Sequence, residues 1–93
     1  MSNEQNQTSM YDLADKFIAL ANEAGKKDPT GTVGMGLRYA AARYCAFEAS
    51  IAMNDLAAEK ERLMEMFMND YRAMLSENLD AYIQHTAAQK KQG

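Results

Sequence analysis

Residues 32–53 read TVGMGLRYAAARYCAFEASIAM, and the fold turns on how this stretch is read. It holds no proline, its glycines sit near its start, and alanine dominates the rest, so it predicts a helix over 32–53. Wound at about 100° per residue, Val33, Leu37, Ala40, Tyr44, Phe47 and Ile51 fall on one face. Met35, Tyr39, Ala42, Ala46, Ala49 and Met53 fall on the opposite one. A helix that is apolar on both sides is normally buried between layers. Either two other helices of this chain sandwich it, or a second copy covers one face. The alanines at 42, 46 and 49 leave a flat strip on which another helix can approach closely, and Met35 through Met53 is the expected partner interface. Between the two faces runs a narrow polar seam of Arg43, Ser50 and Asn54, a candidate for recognising an acidic group on a partner.

On the N-terminal side, KDPTG at 27–31 places Pro29 and Gly31 at the second and fourth positions of a turn that starts at Asp28. The chain reverses there. Before it, Met10, Ala14, Phe17, Ala21 and Ala24 recur at steps of three and four, flanked by Leu13, Ile18 and Leu20. Ser9 and Asp12 have N-cap spacing, and Gly25 with Lys26 and Lys27 is a stop signal. A first helix over about 10–24 follows. Thr30 or Thr32 can cap the second helix.

On the C-terminal side, Asn54 or Asp55 can cap a third helix over about 56–86, with Glu59 and Glu61 near its positive end. A fused second and third helix is the alternative. Met64, Met68, Tyr71, Leu75, Leu79 and Tyr82 form its apolar stripe, widened by Leu63, Phe67 and Met74. Arg62, Glu65, Asn69, Arg72, Ser76 and Asp80 lie opposite. At ~1.5 Å per residue this helix is about 46 Å long against about 24 Å for the first, so one end must overhang, fray or meet another chain. Residues 1–8 and 87–93 read as flexible tails around a single domain over 9–86.

The sum is an all-α antiparallel three-helix bundle, homodimeric through the second helix and the overhang of the third. Composition agrees: of 93 residues 47% are hydrophobic and 25% charged, with one proline and five glycines, ordinary for a folded chain and poor in β-branched residues. Net charge is −3, which offers no general attraction to nucleic acid or anionic lipid. The start MSNEQNQTS lacks the features of a signal peptide, no apolar run approaches the ~20 residues that span a bilayer, and Cys45 is the only cysteine. The expected setting is the cytoplasm, with no membrane and no nucleic acid as partner.

Three segments, YDLADKFIALANE (11–23), YAAARYCAFEA (39–49) and NDYRAMLSENLDAYI (69–83), together resemble the bacterial domain-of-unknown-function family 3144. The resemblance implies a small helical protein and nothing catalytic. Cys45 stands where such proteins more readily carry a polar residue, which argues against an essential thiol.

Motifs for chemistry are sparse. Gly31, Gly34 and Gly36 give G-x-x-G-x-G after a helix, the reverse of the dinucleotide fingerprint, and no Lys-Ser/Thr pair completes a P-loop. They read as a loop whose glycines permit close packing on entry to a helix. GTVG fits the loop of KH-type RNA binders, which also need a sheet. Met64, Met66 and Met68 suggest copper(I), but residues two apart on a helix diverge by about 200°, so Met66 cannot share an ion with the others. His85, the sole histidine, follows Tyr82 by three positions where a di-iron helix needs glutamate, and one Cys with one His cannot make a zinc site. Cys45–His85 catalysis and a phosphotransfer role for His85 both need a histidine placed away from a helix end. No cofactor, metal or catalytic residue is expected. The favoured function is a non-enzymatic protein-interaction or assembly module with an unidentified protein partner. The alternative is a small-ligand-binding or catalytic bundle using Arg43, Tyr39 and Tyr44.

Overall fold

The computed structural model describes residues 9–92, and among them the fold is all-helical, with no strand. Helix α1 is Met10–Lys27, α2 is Thr32–Ala52 and α3 is Leu56–Gln92. The expected tail at 1–8 lies outside the described residues. Two compact units divide the chain between Tyr44 and Cys45, inside α2, where the sequence suggests one domain.

In the first unit, the Ser9 hydroxyl accepts from the Asp12 amide at 3.0 Å, the cap its spacing predicts. Helix α1 runs past Gly25 instead of stopping at residue 24. Gly25 lies beside Val33, and a Cβ added there would sit 3.9 Å from Val33 Cγ2, an ordinary van der Waals contact. Lys26 and Lys27 then complement the negative helix end, and Lys26 Nζ pairs with Glu23 at 2.9 Å. The stop comes from Pro29: Asp28 before it is extended, at φ −127° and ψ 95°.

The Asp28 carboxylate then organises the turn. Its Oδ1 accepts from the Thr30 amide at 3.0 Å and from the Thr30 hydroxyl, and its Oδ2 accepts from the Thr32 hydroxyl at 2.6 Å. These donors hold the Asp28 carboxyl below the usual carboxylate range, the Thr30 hydroxyl first, then the Thr32 hydroxyl and the Thr30 amide. Gly31, at φ 82°, supplies the left-handed step that admits the chain to α2.

In the second unit, α2 and α3 are separate helices. Asp55 Oδ1 accepts from the Ala58 amide at 3.2 Å, an N-cap that opens α3. Arg62 binds its neighbours on both sides: Nε pairs with Glu59 at 2.6 Å, and Nη2 donates to Met53 Sδ at 3.8 Å. Ala49 and Leu63, each 6% exposed, are the buried apolar side chains among the described residues.

Two expectations are corrected here. The segment expected as a flexible tail from 87 is helical to Gln92, because Ala87, Ala88, Gln89 and Lys90 are strong helix formers and nothing breaks the run before Gly93. On the bulkier face of α2, which a helix buried between layers would cover, Ile51 is 70% exposed and Leu37, Tyr44 and Phe47 are exposed too, with Val33 half-buried. Hydropathy marks a face as needing cover without saying which chain supplies it.

Candidate interaction surface

In the first unit, Thr32, Met35, Gly36, Tyr39, Ala40 and Arg43 line an open, mostly apolar hollow along α2. They gather because steps of three and four residues return to the same side of a helix. The Arg43 guanidinium lies over the Tyr39 ring, 5.0 Å from its centroid, at a distance where the ring quadrupole attracts a cation. A second open hollow, on α1, is lined by Met10, Leu13, Ala14 and Phe17.

Of the interface residues the sequence suggests, Met35, Tyr39, Ala42 and Ala46 are exposed, whereas Ala49 is buried and Met53 half-buried. Arg43 rests on Tyr39, the Ser50 hydroxyl donates to the Phe47 carbonyl of its own helix at 2.7 Å, and Asn54 lies in the turn beyond α2. Tyr44, the third member of the ligand-binding alternative, is exposed and does not line the Tyr39–Arg43 hollow.

Gly34 and Gly36 are inside α2, not in a loop before it. A Cβ on Gly36 would meet nothing within 4 Å, and one on Gly34 would meet only the Arg38 guanidinium at 3.5 Å, so the close packing expected at these two glycines is absent. At the start of α2 the Asp28 carboxylate accepts from the Thr32 hydroxyl, and its charge there repels phosphate. Sequence reasoning missed this carboxylate, although the D-P-T-G-T spacing carries its signature: an aspartate whose side chain bonds the backbone two residues on.

Among the described residues no three His, Cys, Asp or Glu side chains converge as a metal site would require. Cys45 is free and half-buried, and His85 is exposed on α3. No described helix is long and apolar enough to cross a membrane.

Helix α3 also carries exposed large apolar residues. Met64, Met68, Tyr71, Leu75, Leu79 and Tyr82 are all exposed, as are Met74 and Ile83 beside them. A family model described as Protein of unknown function (DUF3144) matches residues 10–83. The chain belongs to this family. The DUF3144 match begins at the first residue of α1 and ends one residue after Tyr82, so it takes in α1, α2 and the whole α3 stripe. No curated protein and no solved structure matches the chain.

Proposed function

We propose that this DUF3144 protein is a non-enzymatic interaction and assembly module of the bacterial cytoplasm, its helices forming an antiparallel three-helix unit that pairs with a second copy. The observation that carries this reading is the ratio of covered to uncovered apolar surface. Among the described residues two buried apolar side chains, Ala49 and Leu63, stand against exposed large apolar residues on every helix. Contiguous apolar faces of this kind mark association surfaces. The exposed α2 strip of Met35, Tyr39, Ala42 and Ala46 supplies one such face, with alanines that allow a partner helix close and methionine and tyrosine to anchor it.

The Tyr39–Arg43 hollow supports this reading over a ligand-binding one. A small-molecule site encloses its ligand and converges several polar groups on it. This hollow is open, nearly all apolar, and its one cation is stacked on its one phenol. Such a pair is suited to a protein contact, where arginine and tyrosine are enriched. The lone free cysteine and the acidic balance fit a reducing compartment and a partner other than nucleic acid.

The experiment is the molar mass of the protein by light scattering, with Ala46→Glu as the probe. A wild type at twice the chain mass, and a variant of half that mass that keeps its helix signal, are expected. Wild type that stays at the mass of one chain at high concentration overturns the pairing.

A further inference from the structure

We infer that Met53 is a site of reversible oxidation whose sulfoxide is received by Arg62, which tightens the corner between α2 and α3. The inference is drawn within the second unit and does not depend on how the protein associates. Met53 lies just beyond α2, and Arg62 stands in the second turn of α3. Glu59 holds the Arg62 guanidinium through Nε at 2.6 Å, while Nη2 donates to Met53 Sδ at 3.8 Å. A thioether sulfur is a weak acceptor, so a charged donor turned towards it is underused. Among the described methionines Met53 is the one whose sulfur takes a hydrogen bond, and Met10, Met35, Met64, Met66, Met68 and Met74 are exposed on their helices.

Oxidation changes the acceptor. A sulfur lone pair attacks one oxygen of hydrogen peroxide, the O–O bond breaks as the S–O bond forms, and the departing hydroxide takes the proton from the transferred oxygen and leaves as water. The sulfur gives two electrons to the peroxide, and the product is methionine sulfoxide, which sulfoxide reductases return to the thioether. With an S–O bond of about 1.5 Å, an N–H···O separation of about 2.9 Å and an angle of about 120° at the oxygen, sulfur and nitrogen end about 3.9 Å apart. They already stand 3.8 Å apart, so the oxygen fits between them after rotation about the last bonds of the Met53 side chain, with neither helix moving. The new hydrogen bond runs from a cation and is roughly twice as strong as one between neutral groups.

Position sets the consequence. Met53 is half-buried, which leaves its sulfur within reach of a molecule as small as peroxide. A sulfoxide on an open helix face is received by water. At Met53 it closes a link between residues 53 and 62, around the turn and the first turn of α3. Within that loop the Ala58 amide donates to Asp55 Oδ1 and the Glu59 amide to the Asp55 carbonyl. Opening either bond then works against a closed loop, which holds fewer conformations than a free chain end. Oxidation, which commonly disrupts apolar packing, stabilises this corner.

The test uses the full chain with Cys45→Ser, so that peroxide meets no thiol, and reads peptide masses for sulfoxide and hydrogen exchange at the Ala58 and Glu59 amides. After peroxide, Met53 gains one oxygen and exchange at both amides slows by about three- to tenfold. Met53→Leu, in which the other methionines oxidise alike, shows no slowing, and neither does Arg62→Ala oxidised at Met53. A second arm needs no oxidant and stands even where oxidation of the exposed methionines melts the helices. Met53→Gln places a carbonyl where the sulfoxide oxygen would be, and it exchanges more slowly than Met53→Leu at the two amides, a difference that Arg62→Ala removes. Four results overturn the proposal: equal slowing in oxidised Met53→Leu, slowing that survives Arg62→Ala, no oxygen on Met53 once Met68 is fully converted, or Met53→Gln exchanging as fast as Met53→Leu.

Discussion

The Asp28 carboxylate, at the end of α1, accepts a hydrogen bond at 2.6 Å from the hydroxyl of Thr32, the first residue of α2. One side chain therefore joins the end of one helix to the start of the next. It also places a negative charge at the positive end of α2, where it is stabilising.

The acid response of the fold follows from this arrangement. Hydrogen bonds from Thr30 and Thr32 lower the folded-state pKa of Asp28 below its ordinary 3.8. The sign is that of a depressed carboxylate: its contribution is fully present above the unfolded pKa and is lost as pH falls through the folded one. Asp28→Ala is expected to lower the melting temperature at neutral pH, with wild type and variant converging as pH falls below the lowered pKa of Asp28. Circular dichroism melts across that range check it.

Glycine substitutions separate strain from flexibility. Gly31→Ala forces a side chain into φ 82° and is expected to cost about 1 to 2 kcal/mol. Gly36→Ala, inside α2 with open space around it, is expected to gain about 0.5 to 1 kcal/mol. Melting temperatures of the two variants move in opposite directions, by roughly 4 to 8 °C per kcal/mol for a domain of this size.

Burial distinguishes Leu63 from Phe47. Leu63→Ala removes a buried side chain and is expected to cost about 2 to 5 kcal/mol by urea unfolding. Phe47, 54% exposed although the sequence puts it on the bulkier face of α2, leaves no full cavity when truncated, and Phe47→Ala is expected to cost clearly less than the about 3 to 5 kcal/mol of a core phenylalanine.

The caps give a local test. Ser9→Ala and Asp55→Ala each remove the acceptor for one amide of a first helical turn, at Asp12 and Ala58, and are each expected to cost about 1 kcal/mol. Amide hydrogen exchange should quicken at Asp12 in the first variant and at Ala58 in the second, with little change elsewhere.

By itself the sequence determined the helices and their ends. Ser9 and Asp55 cap α1 and α3, Pro29 stops α1, and the alanine-rich run of α2 admits no other local structure, because caps, proline sterics and helix propensity act within a few residues. It erred at Gly25, which α1 passes before Pro29 stops it, and after residue 86, where no breaker intervenes. Both alternations of α2 were visible, but not which would be open. That Ala49 on the small face is buried while Ile51 on the bulky face is 70% exposed was decided by tertiary structure alone, since burial depends on what packs across a face and hydrophobicity acts without direction.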